Sequence, residues 1–282
     1  MQVVLSSSAS VRLTAARQFI ADAPSGAETL IVSATRGAAD DFARSCAVER
    51  GSTFGLYRFS LTQLAARLAA PLMADAHVTP STALGIEAVA ARAVYDATSD
   101  NLLRYFGPVA DAPGFPRALA RTLEELALAG VPAASLAPVG PGARDLAELL
   151  ERFESQFAAV SALDRAAFLR LATVAVASAG NAYGACRLVL LDVPIANAGE
   201  AAFVAALVAR APASMATVPS GDSATLDAFA RLGVVEEREA NGAGLDRLRR
   251  YLFASGVIPA GEPLAEVELF SAPGEGREAV EI

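Results

Sequence analysis

Apolar residues in the first 59 positions come in short runs separated by helical stretches, and this spacing predicts strands and helices in alternation. An apolar run from Gln2 to Leu5 reads as a strand, Arg12 to Asp22 as a helix, and Leu30 to Ala34 as a second strand. A helix from Arg36 to about Glu49 and a short strand around Phe54 to Phe59 follow. Strand–helix–strand spacing of this kind implies a parallel sheet covered by helices. From Ser60 the period changes. Ser60 and Gln63 form an S-x-x-Q capping box ahead of Leu61, Leu64 and Leu68. Thr79 and Pro80 read as the next helix start, leading into Ile86, Val89, Ala93 and Val94. Phe115, Leu119, Leu123 and Leu126 make a further stripe that stops at Gly130 and Pro132, and Leu146, Leu149, Leu150, Phe153, Phe157 and Val160 make another. Residues 60–162 are therefore expected to be helical throughout, with these stripes as core.

Strands return at Arg187 to Asp192, where four consecutive aliphatic residues suit a strand buried on both faces. Helices at Gly199–Arg210, Asp222–Leu232 and Leu245–Ala254 alternate with strands at Ser214–Val218 and Glu266–Phe270. The expected architecture is one α/β domain, residues 1–59 plus 163–282, interrupted by an all-helical insertion at 60–162. Pro273 to Gly276 then lead into barely one helical turn, too short to support itself. The chain is expected to continue into a longer protein.

Composition narrows the chemistry. The net charge is −8, and all 23 basic residues are arginine. Without lysine the chain cannot form a Schiff base or supply a phosphate-loop ammonium. His77 is the only histidine, which excludes a site of paired histidines, and it lies far from the serines of Ser6–Ser10, so no serine triad is expected. Cys46 and Cys186 are distant from each other and outside any metal-binding spacing, and they read as buried apolar residues of a reducing compartment. No apolar stretch reaches the roughly 20 residues of a membrane span, so no membrane partner is expected and the reading is cytoplasmic. The adjacent acids Asp40 and Asp41, and Glu124 and Glu125, read as solvated charges. Arg247, Arg249 and Arg250 are the densest basic cluster.

The loop after the first strand is where a phosphate loop would stand. Set against G-x-x-x-x-G-K-T, the chain has Ser6, Ser7, Ser8, Ala9, Ser10, Val11, Arg12 and Leu13. Serine and valine stand at the glycines, arginine at the lysine and leucine at the magnesium-binding hydroxyl.

In order and spacing the segments resemble superfamily 1 helicases of the UvrD type, and more closely the N-terminal helicase-like region of AddB-type subunits of ATP-dependent nucleases. LIVSATR (30–36) resembles motif Ia, and RFSLTQLAARL (58–68) resembles the segment before the helical insertion 1B. LDRAAFLRLA (163–172) is similar to the helix leading into Walker B, RLVLLD (187–192) to the Walker B strand, and LFSAPGEGREAVEI (269–282) to the entry into the next motor domain. The resemblance implies a P-loop NTPase-like, RecA-like sheet. It makes Asp192 the magnesium-holding Walker B position and places Thr35, Arg36 and Arg58 near DNA. Val193 stands where the water-activating glutamate would be, and Ile195 and Ala196 replace a polar pair. Gly221 and Asp222 resemble motif III, with Thr225 in place of its glutamine.

With the nucleotide site degenerate, no ATP or magnesium cofactor and no ATPase activity are expected. The implied role is a non-catalytic module of a double-strand-break repair nuclease that holds or scans DNA, or scaffolds an ATP-hydrolysing partner subunit. In that family a C-terminal PD-(D/E)XK nuclease with an iron–sulfur cluster follows. The alternatives are a working helicase with an atypical site and a purely protein-binding scaffold.

Overall fold

The computed structural model describes residues 1–239 except 52 and 179, and beyond them only 248, 251, 252, 255, 257, 270, 271 and 273–281. The cluster Arg247, Arg249 and Arg250, and most of the expected helix 245–254 and of the strand expected at 266–270, lie outside the described residues.

The chain opens with β1 (Gln2–Ser6), α1 (Ala9–Ala21), β2 (Thr29–Ser33), α2 (Arg36–Arg50) and β3 (Leu56–Ser60), as the alternating pattern predicts. The sheet is completed by β6 (Arg187–Leu191), β7 (Ser214–Pro219) and β8 (Val234–Glu237). Among the described residues six strands run in the order β3-β2-β6-β7-β1-β8, and every pairing is parallel. Two core clusters follow from the two-residue period of strands. Val3, Leu30, Val32, Leu188, Leu190, Ala216 and Val218 point to one face, which is covered by α3 (Leu61–Asp75), α8 (Arg165–Val176), α9 (Ala198–Arg210) and α10 (Ser223–Ala230). Val4, Ile31, Val189, Leu191 and Met215 point to the other, covered by α1 and α2. Strands buried on both faces carry the continuous aliphatic runs seen in the sequence. At the β8 edge Val234 donates its N–H to the Met1 carbonyl, and a Cβ on Gly233 would collide with the Met1 backbone, so glycine is needed there.

Between β3 and β6 along the chain lie α4 (Ala83–Ser99), α5 (Phe115–Ala129), the short α6 (Ala133–Leu136) and α7 (Pro141–Ala159). They bury a third cluster of their own, centred on Leu123, Leu149, Leu150, Phe153 and Phe157. Asp145, buried in α7, accepts the N–H groups of Tyr105 and Phe106 at 2.8 and 3.0 Å and so fixes the loop between α4 and α5. The predicted capping box is present: Ser60 accepts from the Gln63 N–H, and the Gln63 side chain accepts from the Ser60 N–H. Helix α3 packs on the sheet, so the separate helical core is drawn from α4 onward.

Two expectations change, one of them within residues 60–162. Thr79 and Pro80 do not start a helix. They form a two-residue strand, β4, paired with β5 (Ala162–Leu163), and α4 begins three residues later, capped by the Thr82 hydroxyl on the Gly85 N–H. A Thr-Pro pair suits extended backbone as well as a helix N-terminus, and the Ser161 and Leu163 carbonyls hold it extended by accepting from Thr79 and Ser81. Strand β8 was not anticipated, because all four of its side chains are exposed and leave no hydrophobic alternation. The last described helix, α11 (Glu275–Glu281), starts two residues ahead of the turn expected from Arg277. No described helix is long and apolar enough to cross a membrane.

Candidate functional site

In parallel sheets ligand sites form at the carboxyl ends of strands where successive helices leave for opposite faces. One such place lies between β1, whose helix α1 covers one face, and β7, whose helix α10 covers the other; β2 and β6, followed by α2 and α9, make another. Ser6 ends β1 and is buried, and its hydroxyl accepts the Ser8 N–H at 3.2 Å. Only Ser7 and Ser8 separate strand from helix. Helix α1 starts at Ala9 rather than at Arg12, so Ala9, Ser10 and Val11 are helical and the Arg12 N–H bonds to the Ser8 carbonyl at 3.2 Å. With no glycine to hold an open loop, this alanine-containing stretch takes the helical geometry it prefers. Leu13 turns into the α1–α2 core.

The Arg12 side chain, 8% exposed, points across the strand ends to Asp192. Nε donates to Oδ1 at 2.9 Å, Nη2 donates to Oδ2 at 3.0 Å, and Nη1 donates to the Ser6 carbonyl at 2.6 Å. A planar guanidinium makes this forked contact and a lysine ammonium does not. Asp192, one residue past β6, has φ 48°, in the left-handed region that aspartate enters more easily than most residues. Its backbone N–H donates to Thr217 Oγ1 at 3.0 Å, and that hydroxyl donates back to Asp192 Oδ1 at 2.6 Å. Three neighbouring strands, β6, β7 and β1, thus place an aspartate, a fully buried threonine and an arginine in one closed network. Sequence reasoning missed Thr217. Its signal is a hydroxyl inside the apolar run Met215–Val218, on a strand buried from both sides.

The residues after Asp192 turn inward. Val193 and Ile195 are buried, and the Ile195 N–H donates to Thr225 Oγ1 at 2.9 Å. Asp222 caps α10 by accepting from the Thr225 N–H at 3.1 Å, and Gly221 has φ 102°. The Gly221–Asp222–Thr225 segment therefore joins the loop after β6 to the loop after β7. Glu200 joins α8 to α9 by accepting from Arg165 Nη2 at 2.7 Å and from the Ala196 N–H at 2.9 Å.

Away from that network, Arg36 and Arg58 come together on Asp40 at the β3 edge. Thr35 caps α2 by accepting from the Ala38 N–H. Arg36 Nε donates to both Asp40 oxygens at 3.1 Å and lies 5.8 Å from the Phe59 ring, while Arg58 Nε is 3.5 Å from Asp40. Asp40 is thus a shared, half-buried counter-ion rather than the solvated charge expected, whereas its neighbour Asp41 is exposed and pairs with Arg44. Glu124 also departs from that expectation. It is half-buried, and burial, assisted by the Asp164 carboxylate and opposed by Arg165, pushes its carboxyl up from the usual range. Both thiols are buried, as expected. Burial raises that of Cys46, and burial together with the nearby Glu28 carboxylate pushes that of Cys186 up to about 11. His77 lies exposed in the turn after α3. Among the described residues no group of three or more histidine, cysteine, aspartate or glutamate side chains is placed to hold a metal. No family model matches this chain, and no curated protein matches it.

Proposed function

We propose that this chain is a helicase-shaped, RecA-like module whose nucleotide position is filled by its own ion pair, and that it serves a DNA double-strand-break repair nuclease as a non-catalytic part. The observation that carries this reading is the Arg12–Asp192–Thr217 network. A P-loop protein needs its cation on the β- and γ-phosphates, its Walker B carboxylate on magnesium and open backbone amides between them. In this chain the cation and the carboxylate occupy each other, and the would-be loop is wound into α1. Admitting a triphosphate would require breaking a forked pair with one nearly buried partner and unwinding a helical turn.

Within that role, scaffolding an ATP-hydrolysing subunit is better supported than holding or scanning DNA through Thr35, Arg36 and Arg58. Both arginines already share Asp40, which leaves little uncompensated charge for a run of phosphates, and the acidic chain as a whole opposes a long polyanion. Calorimetry with ATP and magnesium tests the reading. Negligible heat into the millimolar range is expected, whereas low-micromolar affinity, or DNA-stimulated turnover abolished by Asp192→Ala, would make the chain a working NTPase. Single-stranded DNA binding at about 50 mM salt, falling steeply as salt rises, would restore the DNA-holding role.

A further inference from the structure

Strand β3 ends the sheet, and no described strand pairs with its outer side. Alongside it, between β3 and α2, runs a cavity of about 540 Å³ bordered by Arg36, Arg44 and Arg58 with Ala43, Ala47 and Leu56 below. A second cavity of about 380 Å³ continues it past Leu56 toward the Ala23–Ala27 loop. Phe54, 93% exposed, stands where the two meet. An open strand edge carrying unpaired N–H and C=O groups is a template for another extended chain, and proteins commonly cover or blunt it. The charge balance is the reverse of the protein's. Three guanidinium groups face the two carboxylates of Asp40 and Asp41, a local surplus of positive charge in a chain of net charge −8. Arginine has more donors than its shared carboxylate can accept, and Arg44 and Asp41 are each at least 70% exposed.

The geometry points to this edge as the docking site for an extended acidic segment of a partner protein, which adds as a seventh strand beside β3. Its carboxylates lie on Arg36, Arg44 and Arg58, and an apolar side chain covers Phe54. Recognition combines a main-chain ladder with side-chain pockets on alternate residues. Nucleic acid fits less well, because it cannot ladder with a peptide edge. The inference rests on the scaffolding role proposed above and gives it a place on the surface.

The test uses the full chain and a fluorescent peptide of about ten alternating valines and glutamates, long enough for one strand. Saturable binding is expected, and a peptide with alternate backbone nitrogens methylated, its charge unchanged, should lose it. The double variant Arg36→Glu, Arg58→Glu should weaken binding at least about tenfold and make it less salt-dependent, and Phe54→Ala should weaken it with an unchanged melting temperature. Equal binding of the methylated peptide would overturn the proposal even if the charge-reversed variant folds poorly, since that comparison uses the wild-type chain. So would preferential binding of an oligothymidylate, or sedimentation showing that a second copy already occupies the edge. The Arg12–Asp192 pair lies away from this edge, so failure here leaves the nucleotide measurement intact, and the reverse also holds.

Discussion

Asp192 and Asp40 are each paired with arginine in the same α/β unit and are about equally exposed themselves, 31% and 32%, but their arginines are not. At Asp192 one arginine, 8% exposed, spends its fork on one carboxylate and a backbone carbonyl, and a buried threonine ties the carboxylate down. At Asp40 two arginines, 44% and 43% exposed, share one carboxylate, at 3.1 and 3.5 Å. Exposed pairs contribute little because water and salt screen them and long side chains lose freedom in forming them. A pair with one buried partner is different: removing the Asp192 carboxylate strands a guanidinium that water barely reaches. The first pair is therefore expected to maintain the fold, and the second to remain available for exchange with an incoming group.

The largest effect is expected from Asp192→Asn, which keeps the left-handed backbone preference and the shape but leaves Arg12 without its counter-charge. A loss of about 3 kcal/mol in urea unfolding should follow, and adding Arg12→Met should restore part of it in a double-mutant cycle. An unchanged midpoint in the single variant would remove the distinction between the two pairs. Thr217→Val comes next. It strips a donor from Asp192 Oδ1 and an acceptor from the Asp192 N–H, at a cost of about 1–2 kcal/mol by chemical unfolding. The smallest effect belongs to Asp40→Ala, expected to change stability by less than about 0.5 kcal/mol. What effect there is should fade in concentrated salt, whereas the Asp192 variant should stay destabilised there. If Asp40→Ala cost as much as Asp192→Asn, the edge site would have to be reclassified as structural.

Which parts of this could be read from the sequence follows from the same physics. Strands β1, β2, β6 and β7 were legible because burial on both faces demands unbroken aliphatic runs, and α3, α5 and α7 because burial on one face imposes a helical stripe. Strand β8 was not, since Val234–Glu237 is exposed and is held by its pairing with β1 rather than by burial. The pair β4–β5 was hidden because two residues carry no period. At the site, the substitutions at Ser6, Val11, Arg12 and Leu13 were visible one by one. Their joint result was not, because the Arg12–Asp192 contact joins residues far apart in the chain, and Thr217 looks like strand filler until β7 is placed between β6 and β1. The early start of α1 was concealed by serines, which suit a loop or the first turn of a helix equally well.

The short β4–β5 ladder bears on how the chain folds. Strand β2 must find β6, which lies beyond the whole helical insertion, and nonlocal parallel pairing of this kind is slow. The ladder joins Thr79 to Ala162 and Pro80 to Leu163, at the two ends of the segment that contributes the third core. Once that segment has condensed, its entry and exit are neighbours, and the search left to β6 is that of a much shorter tether. Closure entropy grows only slowly with loop length, about 0.6 kcal/mol per doubling, so the gain in equilibrium stability is modest. The gain in folding order is larger, because the interrupted sheet can assemble around a finished insert as though it were nearly continuous.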